Sequence, residues 1–178
     1  RSEVLGLKWD AIDFENKTIT IRHTVHEVTI DGKTRIVASD TTKTKSSYRS
    51  LPLVKPFEEI LLKMKREQEE NKRLCGRCYC QDYLDYIYVN QIGEIVKPGF
   101  VTAHFSAVLK ANNLPHIRFH DLRHSCASLL FAQGVSLKEI QAWLGHSTIG
   151  TTANIYTHLD ENNKLSSANA IIAILPEM

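Results

Sequence analysis

The stretch from residue 117 to residue 156 constrains the fold of this chain most, because it reads as a run of short helices. Gly134 and Gly145 stand where the C-terminal caps of two helices are expected. Ser136 followed by Glu139 is the signature of a capping box, which satisfies two backbone N–H groups at a helix start. The stretch therefore predicts consecutive helices with tight connections.

The same stretch carries five side chains with strong chemistry. They are His120, Arg123, His124, His146 and Tyr156. An arginine three residues after a histidine is a poor metal partner, whereas its planar guanidinium can bind two phosphate oxygens at once. A phenol downstream would supply a nucleophile for a phosphodiester. The set therefore indicates phosphoryl chemistry.

The first residues indicate the end of an amphipathic helix, and strand-like patterns follow it. Apolar and polar residues alternate at 18–21, and two further strand-like runs flank Asp31 and Gly32, which form a strong hairpin turn signal. A last strand is expected to end at Pro52. These runs predict a small antiparallel sheet.

Helical periodicity dominates the rest of the chain. Residues 56–74 begin with Pro56 and repeat apolar residues at helical spacing, so we expect a surface helix there. A strand and a turn are expected at 87–96, an amphipathic helix at 98–113 and an apolar helix at 165–175. The predicted fold class is α+β, mostly helical with a small antiparallel sheet.

Length and composition suit one domain, since 178 residues with 43% hydrophobic content can build a core. The formal charge of +2 and the pI near 8.4 fall short of the value above about 9 that is typical of nucleic-acid binders. Residues 43–49, KTKSSYR, form a candidate basic patch. Without a signal peptide or a long apolar run, we expect a cytoplasmic protein with reduced cysteines.

Three motifs in order, FHDLRHSCASLL, IQAWLGHS and TTANIYTH, carry a resemblance to a known family. They resemble the C-terminal catalytic domain of the tyrosine recombinases, or phage integrases, and look closest to integrases of conjugative transposons and phages. The family pattern runs Arg, Lys, His-x-x-Arg, His or Trp, and Tyr. The ten-residue spacing between His146 and Tyr156 fits this pattern. The resemblance implies a DNA breaking-rejoining enzyme that integrates or excises a mobile element.

The resemblance also implies a role for each side chain. Tyr156 would attack a DNA phosphorus and form a 3'-phosphotyrosine, while Arg123 would bind the phosphate oxygens. His120, expected on the same helical turn as Arg123, and His146 would donate hydrogen bonds or carry protons. Lys43 would act as the general acid from a hairpin turn that precedes the motif Arg-Ser-Leu-Pro-Leu at 49–53.

The N-terminal region adds three further residues to this set of expectations. Lys45 is the rival of Lys43 as general acid. The family's first arginine would lie just ahead of Arg1, so we expect this fragment to lack it and assign Arg1 no catalytic role. Glu3 resembles a supporting residue that orients the arginines.

Domain limits and partners follow from the same resemblance. Residues 1–164 would form the catalytic domain, and the apolar helix at 165–178 would either be exchanged between subunits or complete the core. The expected partners are double-stranded DNA with an attachment site, further copies of the chain in a tetramer on DNA, and accessory bending or directionality factors. No metal or other cofactor is implied.

Two other functions are compatible with these motifs. A type IB topoisomerase uses similar chemistry to relax DNA, and a DNA-binding domain can keep the fold without the chemistry. Arg123 could instead pair with Asp121 or Glu139 on the surface. Cys75, Cys78 and Cys80 could hold zinc, but a fourth ligand at a familiar spacing is missing, so free thiols are expected.

Overall fold

The computed structural model describes residues 1–39, 47–148 and 150. The chain divides into two compact units, Arg1–Leu122 and Arg123–Met178. Helices and small antiparallel sheets are both present in the described residues. The α+β class expected from the sequence is therefore confirmed.

The strands of the first unit form two sheets. β1 (Ile12–Asp13), β2 (Thr18–Ile21) and β5 (Arg49–Pro52) make a three-stranded sheet in the order β1-β2-β5, and β3 (Thr24–Ile30) pairs with β4 (Lys33–Ser39). The sequence predicted one sheet. Because β1 and β5 occupy both edges of β2, the β3–β4 hairpin forms a second sheet of its own.

The tip of this hairpin confirms the turn read from the sequence. Asp31 and Gly32 have φ values of 51° and 72°, and Ile30 pairs with Lys33 across the turn. Two successive residues with positive φ define the type I′ turn that matches the twist of paired strands. The Asp-Gly signal thus fixed the hairpin register.

Three α-helices lie wholly within the described residues of the first unit. They are α1 (Ser2–Leu5), α2 (Lys55–Cys75) and α3 (Pro98–Ala111), and the longer two each have a proline in the first turn. A proline there loses no intrahelical hydrogen bond, because the first N–H groups of a helix have no partner in it. The helices predicted at 56–74 and 98–113 are confirmed within two residues at each end.

Of the strand and turn expected at 87–96, the turn is present but the strand is reduced to an isolated bridge. Val89 and Ile95 form a single antiparallel bridge, with a turn between them. The side chain of Asn90 accepts hydrogen bonds from the backbone N–H groups of Ile92 at 3.1 Å and Glu94 at 2.9 Å. An Asn side chain that satisfies the backbone in this way favours a turn over an extended ladder.

Two apolar clusters stabilise the first unit. Their buried members are Leu5, Val25, Tyr86 and Ile95 in one, and Ile12, Leu53, Leu61 and Ile87 in the other. Gly6 allows α1 to approach β3, because a Cβ atom there would lie 2.5 Å from the carbonyl oxygen of His23. Burying a Leu or Ile side chain contributes about 1.5–3 kcal/mol, so these clusters hold α1 and α2 against the strands.

The second unit contains most of α4 (Asp121–Ala132) and all of α5 (Leu137–Leu144), and these helices share a cluster of Ala127, Ile140 and Leu144. The helix expected at 165–175 lies outside the described residues. Within the described ranges, no helix has the length and apolar content that a membrane span requires.

Candidate active site

A tight connection joins α4 to α5. Gly134, with φ 79°, donates its backbone N–H to the carbonyl oxygen of Phe131 at 2.9 Å and ends α4. Ala127 of α4 and Ile140 of α5 are both fully buried in the cluster that the two helices share. This packing fixes the scaffold that carries Arg123 and His146.

The start of α5 confirms the capping box. Ser136 Oγ accepts from the backbone N–H of Glu139 at 3.3 Å, and Glu139 Oε2 accepts from the backbone N–H of Ser136 at 3.1 Å. Hydrogen bonds from the Ser136 side chain and backbone lower the pKa of Glu139 below its ordinary value. The carboxylate therefore stays ionised at the positive end of the helix dipole.

Arg123 in the first turn of α4 contacts the last residue of α5 and the segment that follows it. Its Nε donates a hydrogen bond to Nε2 of His146 over 3.0 Å, and its Nη2 donates another to the carbonyl oxygen of Leu144. His146 is buried, with only 9% of its surface exposed. The structure thus brings together two of the five residues predicted to be catalytic.

This contact defines the chemical state of both groups. Because Nε2 of His146 accepts a hydrogen bond, the neutral imidazole carries its proton on Nδ1. The Arg123 guanidinium remains charged at any working pH, and two hydrogen bonds fix the plane of its fork. A fixed planar cation beside a buried imidazole suits an anion with several oxygens, such as a phosphodiester.

The surface pairings considered for Arg123 involve residues that have other partners. Asp121 forms an ion pair with Arg118 at 2.8 Å, and Glu139 belongs to the capping box with Ser136. The hydrogen bond and the negative charge of Asp121 raise the pKa of Arg118. The phosphate-binding role of Arg123 stays a prediction.

His120 lies in a turn ahead of α4, because the helix begins only at Asp121. Its expected position on one helical turn with Arg123 stays a prediction, because His120 directly precedes the first helical residue. The Asp121 carboxylate accepts a hydrogen bond from the Arg118 backbone N–H at 2.8 Å, and the Asp121 N–H donates to the Arg118 carbonyl at 2.9 Å. These bonds close a turn over residues 118–121 that includes His120, and its catalytic role stays a prediction.

In the first unit, Glu3 binds Arg49, a residue to which sequence reasoning assigned no role. Arg49 Nη2 lies 2.9 Å from Glu3 Oε2, and Arg49 Nη1 also donates to the carbonyl oxygen of Ser47 at 3.1 Å. The pair joins α1 to β5, which follows Lys43 and Lys45 in the sequence. The available signal was the arginine of the Arg-x-x-Pro-Leu motif together with an acid in the first helix.

Several predicted residues cannot be placed in this way. Lys43, Lys45 and Tyr156 lie outside the described residues, and so does the segment 165–178. Arg1, to which no catalytic role was assigned, donates through Nη1 to Thr102 Oγ1 at 2.7 Å. The roles of the two lysines and the tyrosine therefore remain predictions.

The cysteines considered for zinc lie around the end of α2. Cys75 Sγ donates to the carbonyl oxygen of Gln91 at 3.5 Å, the backbone N–H of Cys80 donates to Ile92, and Cys78 is exposed. In the part of the chain that the structure describes, no three His, Cys, Asp or Glu side chains are arranged to hold a metal ion. The thiols are free there.

Solved structures with the same fold define its class. The Tn1549 transposon integrase, in complex with circular intermediate DNA, matches with a TM-score of 0.75 and 22% identity over 96% of this chain and 55% of that chain. The XerH site-specific recombinase bound to a palindromic difH substrate matches with a TM-score of 0.59 and 25% identity over 93% and 40%. The fold is that of a tyrosine-recombinase catalytic domain.

Sequence relatives narrow this class to a family. The chain is 31% identical over 176 residues to a tyrosine recombinase XerC-like protein of Caldanaerobacter subterraneus, covering 96% of this chain and 45% of the relative. It is also 31% identical to the ICEBs1 integrase of Bacillus subtilis, covering 97% and 45%. The chain belongs to the phage integrase family, whose model matches residues 1–163. It spans about half the length of these curated relatives.

Proposed function

We propose that this chain is the catalytic part of a site-specific recombinase that integrates or excises a mobile element. The observation that carries the proposal is the 3.0 Å contact between Arg123 and His146, which belong to two separate motifs of the family. Relatives with the names integrase and tyrosine recombinase support it. So does a transposase from transposon Tn916 of Enterococcus faecalis, which is 28% identical over 163 residues.

The proposed reaction consists of two transesterifications. The Tyr156 phenolic oxygen attacks a DNA phosphorus, its proton passes to a base, and the bond from phosphorus to the 5'-oxygen breaks. Lys43 gives a proton to the leaving 5'-oxygen, which becomes a hydroxyl, and the 3'-phosphotyrosine keeps the energy of the broken bond. A 5'-hydroxyl of the partner duplex then attacks the phosphotyrosine phosphorus and passes its proton to Lys43, while the base returns a proton to the Tyr156 oxygen as the bond from phosphorus to Tyr156 breaks. Because bond energy is conserved, the scheme requires neither ATP nor a divalent ion.

Arg123 and the histidines act on the phosphate in this scheme. The transition state places extra negative charge on the equatorial oxygens, which a fixed guanidinium stabilises more than it stabilises the ground state. His146 accepts the hydrogen bond from Arg123 Nε through its Nε2, and it is assigned a hydrogen bond to the phosphate or the transfer of a proton. His120 is assigned a hydrogen bond to the phosphate or the transfer of the Tyr156 proton.

The partners belong to the proposal as well. Solved neighbours in the family are complexes with DNA, which supports double-stranded DNA carrying an attachment site as the substrate. Exchange of strands between two duplexes requires several active sites, so a tetramer on DNA is the proposed assembly. Accessory bending or directionality proteins would act on the same DNA, in the bacterial cytoplasm and nucleoid.

A covalent trapping experiment tests the reaction. The complete natural polypeptide that contains this chain is mixed with a nicked duplex carrying its attachment site, so that the cleaved end diffuses away and the adduct accumulates. We expect a protein–DNA adduct on a denaturing gel. It should be absent in Tyr156→Phe and present in the control Tyr83→Phe.

The outcomes separate the candidate functions. An adduct that persists in Tyr156→Phe would contradict the assignment of the nucleophile. Tight DNA binding without any adduct would contradict an enzyme and favour a DNA-binding domain that lost the chemistry. Relaxation of supercoiled DNA that contains no attachment site would indicate a topoisomerase instead.

A further inference from the structure

Gln141 holds the backbone of His146 from both sides. The Gln141 carbonyl oxygen accepts a hydrogen bond from the backbone N–H of His146 at 3.1 Å. The Gln141 side chain, through Nε2, donates to the carbonyl oxygen of His146 at 3.1 Å. One residue in the last turn of α5 therefore binds both polar backbone groups of a proposed catalytic residue.

The helix end makes this arrangement possible. Gly145 adopts the left-handed conformation, with φ 70° and ψ 38°, and donates its N–H to the Gln141 carbonyl at 2.9 Å. This reversal folds the chain back over the last turn of α5, as in a Schellman-type cap. The carbonyl of His146 then points toward the Gln141 amide, which is long enough to reach it.

Fixing both backbone groups of His146 also fixes the direction of its Cα–Cβ bond. The imidazole has two remaining torsions, and the hydrogen bond from Arg123 Nε to its Nε2 selects one orientation. Arg123 also donates to the carbonyl of Leu144, in the same short segment. These two acceptors lie on Leu144 and His146, and Gln141 binds the backbone of Gly145 and His146 in the same segment.

We propose that Gln141 is a positioning residue, which sets the imidazole of His146 and through it the guanidinium of Arg123. This inference rests on the proposed function of the two catalytic residues. A glutamate at position 141 would face the His146 carbonyl with a second acceptor, and a leucine of similar size would offer no donor. The hydrogen bond to the His146 carbonyl therefore needs both the length of the glutamine side chain and its amide N–H donor.

The kinetic test compares Gln141→Leu and Gln141→Glu in the complete natural polypeptide. Single-turnover cleavage of the nicked attachment-site duplex is measured at saturating DNA, with the melting temperature and the Kd for DNA. We expect cleavage to slow by about tenfold or more, because small displacements of catalytic groups reduce rates by up to about a hundredfold. The Kd should change less than twofold. The control Gln133→Leu, an exposed glutamine after α4, should cleave normally.

A double-mutant comparison asks whether Gln141 acts through His146. In a His146→Ala background, Gln141→Leu should cause no further loss of the residual cleavage. An equal loss in both backgrounds would overturn the proposal. Recovery of wild-type cleavage by Gln141→Leu at temperatures well below its melting point would also overturn it, because the defect would then be one of stability alone.

An imidazole nitrogen NMR spectrum separates this inference from the proposed function. In the wild type, His146 Nε2 should give the signal of a hydrogen-bonded acceptor with the proton on Nδ1, and Gln141→Leu should move that signal. An unchanged His146 spectrum would overturn the positioning role. The spectrum needs no DNA cleavage, so it can be read even if the wild-type protein forms no adduct and the proposed function fails.

Discussion

Arg49 on β5 holds Glu3 on α1 through two hydrogen bonds of 2.9 and 3.3 Å, across a separation of 46 residues. The Arg49 side chain is 13% exposed and the Glu3 side chain 27% exposed. Replacing Arg49 by Met leaves the Glu3 carboxylate half-buried without this guanidinium. We expect the free energy of unfolding to fall by about 2 kcal/mol, measured by urea denaturation.

Arg73 provides the matched control for this prediction. It forms a similar contact of 2.7 Å with Glu70 on α2, but the Arg73 side chain is 74% exposed. Surface pairs of this kind contribute less than about 1 kcal/mol. If Arg73→Met and Arg49→Met lowered the free energy of unfolding equally, the burial of the Glu3–Arg49 pair would add nothing to stability.

Alanine substitutions at Gly6 and Gly32 compare the cost of a steric clash with the cost of a strained backbone conformation. A Cβ on Gly6 would meet the backbone of His23 at 2.5 Å, whereas Gly32 has φ 72° and open space around it. Gly6→Ala should cost about 3 kcal/mol because a backbone must move, and Gly32→Ala about 1 kcal/mol because of the left-handed conformation. Denaturation curves of the two variants give the comparison. The reverse order would contradict the close approach of α1 to β3.

Local features were predictable from the sequence, because neighbouring residues determine them. The Asp31-Gly32 turn needs two positive φ angles, and the capping box needs a serine three residues before a glutamate. The left-handed cap at Gly145 follows from the same kind of local rule. Each of these forms from fewer than seven consecutive residues.

Relationships between distant residues could not be predicted in the same way. The Glu3 and Arg49 motifs were both recognised, but nothing in their spacing indicated that they pair. The division of the strands into two sheets depends on β5 occupying an edge of β2, which is a tertiary event. The contacts of Gln141 with His146 could not be predicted because they depend on the geometry of a helix end.

The capping box predicts a pH dependence. The folded-state pKa of Glu139 lies below its ordinary value of 4.5 because Ser136 donates hydrogen bonds to the carboxylate. A lowered pKa contributes stability above the unfolded-state value and loses it as the pH falls through the folded-state value. Ser136→Ala should therefore cost more stability at pH 7 than at pH 3, measured by urea denaturation at both values.

A second variant isolates the carboxylate. In a Glu139→Gln background, the cost of Ser136→Ala should be the same at both pH values, because the group that titrates has been removed. A difference that persists there would assign the pH dependence to another residue. Carbon NMR titration of Glu139 should show its pKa rising toward 4.5 in Ser136→Ala.

Arg123→Lys tests the planar fork against simple charge. An ammonium keeps the positive charge, but its single nitrogen cannot reproduce the paired geometry in which Arg123 Nε meets His146 and Nη2 meets Leu144. We expect single-turnover cleavage of the nicked duplex to fall by about a hundredfold or more, the typical cost of losing one donor to a transition-state oxyanion. The Kd for DNA should change only a few-fold, since the charge that attracts phosphate remains. The control Arg73→Lys, on the exposed face of α2, should cleave like the wild type. Wild-type cleavage by Arg123→Lys would instead show that the enzyme needs only a positive charge at position 123.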